Sequence, residues 1–237
     1  MTQYEKIIAL RQELKRPSAF RHHNIQLRMV LWHLTIRSSA FFKRLMDILI
    51  SLIAIIAGSP ILLLTAFLVK VTSPGPIIFS QVRVGRFGRH FKFYKFRSMY
   101  IDAEARKAEL MKHNESGDGV IFKMKRDPRI TPVGRFIRKF SIDELPQLFN
   151  VILGDMSLVG PRPPLPQEVR TYTLEERKRL NITPGITCLW QVSGRSELPF
   201  SKQIALDKEY IASQSVWKDF LILLRTVPAI LTGKGAW

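Results

Sequence analysis

From Ile48 to Val69 the chain reads ILISLIAIIAGSPILLLTAFLV without one charged side chain. Twenty or so apolar residues at about 1.5 Å rise each match a hydrocarbon core about 30 Å thick. A soluble core helix of this length would carry charges on its outer face, so a membrane segment is the expectation. Ser59-Pro60 falls at its middle, where proline removes a helical hydrogen bond and a bend is expected. The Ser59 hydroxyl is placed to satisfy the backbone there. Basic residues flank both ends: Arg37, Lys43 and Arg44 before, Arg83, Arg86, Arg89 and Lys92 after. If basic flanks stay cytoplasmic, both ends want the same side, which favours a re-entrant hairpin over a span.

The partition expected is a basic extension over 1–40, a membrane helix over 41–70 and a catalytic domain over 71–237. The first residues show no apolar core of the signal-peptide kind. A formal net charge of +18 attracts anions, whether nucleic acid, lipid headgroups or phosphorylated substrates, and does not choose among them. Cys188 is the one cysteine, so internal disulfides and cysteine metal clusters are excluded and a reducing compartment is expected. The His22-His23 pair reads as surface.

After Pro74-Gly75-Pro76, IIFSQVRVG and FKFYKFRSM alternate apolar with polar residues around Arg86-Phe-Gly-Arg89, the pattern of a β-hairpin. Asp102 caps an expected helix to Lys112; a Gly117-Asp118-Gly119 turn and a strand VIFKMK follow, then a turn at Asp127-Pro128-Arg129. Helices are expected over 143–153, 167–180 and 200–213. In SVWKDFLILLRTVPAILTGKGAW, Trp217, Phe220, Leu221, Leu224 and Val227 recur at helical spacing with Lys218 and Arg225 among them, so the helix is either interfacial or part of the core. The fold class is α+β, helix-rich, with an N-terminal re-entrant membrane helix hairpin and interfacial amphipathic helices.

The segment RKFSIDELPQLFN, 138–150, holds adjacent carboxylates, Asp143 and Glu144. One reading is structural: Ser141-x-x-Glu144 is a capping box at a helix start. Pro146 sits awkwardly in such a helix and suggests a later start or a distorted turn. The other reading is chemical. A helix dipole with Arg138 and Lys139 nearby would lower the pKa of an aspartate. An ionised aspartate attacks phosphorus, and a neighbouring glutamate can hold Mg²⁺ against substrate phosphates. In GDMSLVGPRP, Arg162 stands between two prolines, a rigid mount for bidentate phosphate binding. There is no Gly-x₄-Gly-Lys-Ser/Thr loop, Gly-x-Gly-x-x-Gly or Asp-x-Asp.

Taken together, the apolar segment with Ser59-Pro60, KFYKFRSM (92–99), DPRITPVGRFIRKFSIDELPQLFNVILGDMSLVGPRP (127–163), PGITCLWQVSGR (184–195) and LDKEYI (206–211) resemble the monotopic phosphoglycosyl transferases among the bacterial sugar transferases. The resemblance runs from Phe41 to Trp237. It implies a helix broken at Ser59-Pro60 and a catalytic domain on the cytoplasmic face of the bacterial inner membrane. It implies that Asp143 attacks the β-phosphate of a UDP-sugar, releasing UMP, and that undecaprenyl phosphate then displaces Asp143 from the sugar-1-phosphate. Glu144 is implied as Mg²⁺ ligand together with Asp143. Arg138 and Arg162 are implied phosphate contacts, and Lys95, Arg97 and Arg195 are the further substrate-binding candidates.

The nearest group within the family starts exopolysaccharide or capsule synthesis with a hexose-1-phosphate, glucose or galactose. A homo-oligomer is left open. Two rivals come from other classes. A membrane-anchored nucleic-acid binder, suggested by FKFYKFR, needs neither Asp143 nor Mg²⁺, and no nucleic acid is expected. A catalytically silent scaffold of a polysaccharide-assembly complex would use the Asp-Glu pair only as a cap.

Overall fold

The computed structural model describes residues 19–110, 124 and 126–233. Contacts divide the chain into two units, Met1–Lys43 and Arg44–Trp237. Helix α1 is Ala19–Thr72, so the second half of the expected extension is already helical; residues 1–18 lie outside the described part. Within α1, Ser38–Thr72 is long and apolar enough to cross a membrane. The helix is one element through Ser59 and Pro60, not two separated by a non-helical break. Proline leaves the carbonyl four residues back without its donor. That carbonyl, Ile56 O, accepts from Ser59 Oγ at 2.8 Å, which repairs the gap locally.

Where α1 belongs to the larger unit its polarity is inverted. Asp47, Ser51, Thr65 and Val69 are buried, as is Ser73 just past the helix end, while Ile53, Ile56, Leu63, Leu64 and Phe67 are exposed. The buried positions follow helical spacing, so one stripe faces the domain and the other faces outward with bulky hydrocarbon. Asp47 Oδ1 accepts from Leu158 N at 3.1 Å, and Arg44 donates to Val151 O at 2.6 Å and Ile152 O at 2.9 Å.

The expected hairpin forms: β1 (Ile78–Val84) pairs antiparallel with β2 (His90–Phe96), with Ile78 opposite Phe96 and Val84 opposite His90. Helix α2 is Ala103–Leu110, and the expected turn and strand over 117–125 fall on residues outside the described part apart from 124. An α-helix that the sequence reading did not foresee, α3 (Pro132–Lys139), begins with Thr131 Oγ1 accepting from Gly134 N at 2.8 Å. A Cβ at Gly134 would run into the Ser98 backbone, so this helix packs at a distance only glycine permits.

The expected helix over 143–153 starts later. Ile142–Glu144 is a 3₁₀ turn and α4 is Gln147–Leu153, with Pro146 at its N-cap. Strand β3 (Ser157–Val159) follows, then α5 (Pro166–Thr171), α6 (Leu174–Arg177) and β4 (Gly185–Thr187). β3 and β4 pair in parallel, Ser157 beside Gly185 and Val159 beside Thr187. The long helix expected over 167–180 is interrupted at Tyr172, whose backbone is extended. Helices α7 (Phe200–Ala212) and α8 (Val216–Thr232) close the chain.

Two apolar cores result. One gathers Phe91 and Phe93 of β2, Leu148 and Val151 of α4, Val159, Leu189, Tyr210 and Ile222, with Ala54 and Ile55 of α1 packed on it. The other joins Val69, Phe96 and Ile137, with Leu62 and Ala66 of α1 alongside. On α8 Trp217, Phe220, Leu221, Leu224 and Val227 are all exposed while Asp219 and Ile222 are buried, so one face of the helix packs on the core and the opposite face points outward.

Candidate active site

The site is built where β2 meets the turn before α4. Asn150 is fully buried on α4 and acts as an extra rung of β2: its Oδ1 accepts from Tyr94 N at 3.2 Å and its Nδ2 donates to Lys92 O at 2.7 Å. Those bonds fix the helix against the strand one residue from Lys95. On the other side, Ser141 takes a left-handed backbone, φ 55°, and makes no side-chain cap. The capping box is therefore not formed, and the Asp-Glu pair does not serve as a helix cap. A serine in this conformation is strained, a cost of about 1–3 kcal/mol that concentrates at functional sites.

Lys95 Nζ donates to Glu144 Oε1 at 2.7 Å and lies 3.7 Å from Asp143 Oδ2. Arg162 Nη1 donates to the same Glu144 oxygen at 3.1 Å. Two carboxylates side by side cannot both be cheaply ionised, and this arrangement divides the charge unequally. Both carboxyls lose hydration on burial. For Glu144 the Lys95 and Arg162 charges and their hydrogen bonds outweigh that loss and hold its pKa far below the usual range.

For Asp143 burial wins and its pKa is raised; Lys95 opposes the rise, Glu144 adds to it, and Arg138 and Arg162 oppose it more weakly. This corrects the expectation that a helix dipole with Arg138 and Lys139 would lower it: the carboxyl sits on a three-residue turn and is buried.

A cavity of about 1110 Å³ opens over the pair and is lined by Lys95, Arg97, Arg138, Asp143, Glu144, Arg162 and Arg195, so all the predicted polar site residues border one space. Ser59 and Pro60 are not among its lining residues, as suits residues expected to shape the helix. Arg97 borders the cavity but its guanidinium is committed elsewhere. It donates to Pro74 O at 2.8 Å, Ser73 O at 2.5 Å and Val69 O at 3.4 Å, closing the C-terminal end of α1. Arg97→Met should lower stability by about 1–3 kcal/mol through the orphaned carbonyls. Thermal denaturation checks this, and an unchanged Tm would refute the clamp.

Sequence reasoning gave no site role to Arg83. It faces the cavity from β1, donates to Pro163 O at 3.1 Å and stacks over Phe93 at 5.3 Å. Burial first, and then the charge of Arg162, push its pKa down to about 10. Strand alternation in IFSQVRV, which sets Gln81 and Arg83 on one face, was the available signal. Deeper in the same cavity Arg179 pairs with Asp207 at 2.6 Å and reaches the Tyr172 hydroxyl at 3.1 Å. Burial lifts Asp207 to about 6, with Arg179 pulling against it. Trp190 borders the space as well, its indole N–H buried without a hydrogen-bond partner.

A family model described as bacterial sugar transferase matches residues 38–233. Galactosyl transferase CpsE of Streptococcus agalactiae is 54% identical over 163 residues, 68% of this chain and 36% of that protein. The undecaprenyl-phosphate galactose phosphotransferase of Salmonella typhimurium is 42% identical over 223 residues, 91% of this chain and 46% of that protein. The exopolysaccharide production protein ExoY of Sinorhizobium fredii is 39% identical over 198 residues, covering 82% of this chain and 88% of ExoY. The chain thus spans less than half the length of the first two and most of the third.

Proposed function

Since the chain belongs to the bacterial sugar transferase family, we propose that it moves a hexose-1-phosphate from a UDP-sugar to undecaprenyl phosphate through a covalent intermediate on Asp143. The observation that carries this reading is the unequal carboxylate pair: Glu144 bonded to Lys95 and Arg162, Asp143 beside it with only a longer, 3.7 Å ion pair to the shared Lys95. A carboxylate whose charge is poorly compensated is the better nucleophile of the two once deprotonated.

In the first displacement an Asp143 oxygen forms a bond to the β-phosphorus. The bond from that phosphorus to the bridging oxygen breaks, and UMP leaves with the electron pair. In the second, a phosphate oxygen of the acceptor attacks the same phosphorus and the Asp143 carboxylate departs. The product is a polyprenyl diphosphate sugar, and the sugar's own carbon–oxygen bond survives. Lys95, within reach of both carboxylates, and Arg162 hold charge beside the transferring phosphoryl group. Burial of Asp143 keeps water from the acyl phosphate.

The donor set suits a hard cation. Two adjacent carboxylates border a roomy cavity, and Mg²⁺ takes about that many protein ligands while phosphates and water complete its shell. Asp143 and the Glu144 oxygen that Lys95 and Arg162 leave open would hold it, and when bound it would supply neutralisation of diphosphate charge.

The outward hydrocarbon of α1 supports a membrane location, and the basic flanks support the bacterial inner membrane with the domain on the cytoplasmic face. Both ends of the apolar segment bond to the same domain, Arg44 and Asp47 at one end and the Val69, Ser73 and Pro74 carbonyls at the other. That favours a re-entrant path, with α8 lying along the interface. The name of one relative, exopolysaccharide production protein ExoY, supports exopolysaccharide synthesis as the setting.

The test is UMP release from UDP-glucose and UDP-galactose with undecaprenyl phosphate and Mg²⁺. We expect release from at least one donor, with ping-pong kinetics and a sugar-phosphate trapped on Asp143. Release that persists undiminished in Asp143→Asn would refute the nucleophile.

A further inference from the structure

A second, smaller crevice of about 90 Å³ opens beside the main cavity and shares Glu144 and Arg195 with it. Its apolar wall is Leu145 and Leu148 from the turn and α4, Ile186 and Val192 from the β4 region, and Ala229 and Ile230 from α8. The Thr187 and Thr226 hydroxyls, bonded to each other, and Gln191 also line it. The volume equals that of about three waters in the liquid, the scale of one isoprene unit. On α8, the neighbouring Leu224, Val227 and Leu231 are exposed, so the apolar lining continues onto an outward apolar face.

Arg195 stands at the polar mouth. Among the described residues it is one of three non-glycine residues held at positive φ, 51°, immediately after Gly194. Such strain persists where surrounding structure imposes it for a purpose. Its Nη1 is buried and makes no hydrogen bond, while Nη2 lies 3.5 Å from Ser141 Oγ. Lys95 and Arg162 are already spent on Glu144, whereas Arg195 has donor capacity in hand.

A cation opening onto a mostly apolar crevice fits a ligand with a phosphate on a branched hydrocarbon. A UDP-sugar has no hydrocarbon to fill the crevice; an isoprenoid phosphate has both parts. Resting on the transfer reaction proposed above, we infer that this crevice is the acceptor subsite: the first isoprene of the polyprenyl phosphate lies between α4 and α8, and Arg195 meets its phosphate.

Steady-state kinetics of the full chain in lipid nanodiscs tests it, with Arg195→Ala and Ala229→Trp beside wild type. Each substitution should raise the KM for undecaprenyl phosphate tenfold or more and leave the KM for the UDP-sugar within twofold, and Arg195→Lys should recover part of the loss. A rise in the UDP-sugar KM in place of the acceptor KM would overturn the assignment. Binding of a short soluble isoprenyl phosphate without any UDP-sugar reads the subsite independently of turnover. Wild type should prefer it over a straight-chain alkyl phosphate of equal carbon number, and Ala229→Trp should erase the preference; a preference that survives would also overturn it. If wild type binds with that preference but transfers from no UDP-sugar, the reaction proposed above fails and the subsite stands.

Discussion

The Asp143→Asn chain should lose transfer by roughly a thousandfold or more and still unfold at a higher temperature than wild type. Activity falls because the amide is no nucleophile toward phosphorus. Stability rises because Asp143 is buried and its best cation, Lys95, stands 3.7 Å away with its hydrogen bond given to Glu144. Asparagine fills the same volume without the charge. The gain should be on the order of 1 kcal/mol, about 2–4 °C in Tm for a chain of this size.

The pH dependence fixes the cause. A carboxyl whose folded pKa is raised contributes stability that is complete below its ordinary value near pH 4 and is lost as pH rises through the raised value. Wild type and variant should therefore melt together in acid and separate toward neutrality. A variant that melts lower at neutral pH would show that the Asp143 charge is stabilising after all.

The neighbouring substitution should do the reverse. Glu144→Gln removes the one carboxylate that Lys95 and Arg162 both donate to, leaving two partly buried cations facing each other. Removing one member of a fully buried charge cluster costs about 3–5 kcal/mol, and the partial exposure here lowers the expected cost to about 2–3 kcal/mol. Transfer should fall with it, because the cations that flank the phosphoryl group lose their anchor.

Lys95 is already pushed down in pKa by burial, with Glu144 and Asp143 holding it up. A base with a depressed folded pKa destabilises as pH falls through that value, so the defect should ease in alkali, where Lys95 gives up its proton. Adding Lys95→Met should restore part of the stability without restoring transfer. A double-mutant cycle by chemical denaturation reads the coupling, and strict additivity would contradict the shared-oxygen arrangement.

Much of this was legible in the sequence for definite physical reasons. The long apolar helix is marked by an uncharged run of spanning length, the hairpin and α8 each repeat their period often enough to be read, and Ser59 beside Pro60 announced the hydrogen bond it makes. Strands β3 and β4 are three residues each and pair across a long connection, so no alternation could mark them. The candidate residues were found by type and motif. The direction of the Asp143 shift was not, because it depends on burial on a short turn, and because nothing in Ser141 announces a left-handed backbone. Arg97 illustrates the same limit: a basic residue in a basic strand reads as a phosphate ligand, and only the three carbonyls around it reveal a clamp.

The inverted polarity of α1 has a practical consequence. Its inward stripe supplies Asp47 and Ser51 to the interior, Ala54 and Ile55 to one core, and Leu62, Ala66 and Val69 to the other. Phe96, which packs on Val69, is the residue next to Lys95. Cutting the helix away to obtain a water-soluble catalytic fragment would remove a wall of the folded interior and loosen the strand that carries the site lysine. Helix α1 is a structural part of the domain, and a fragment without it should fail to fold.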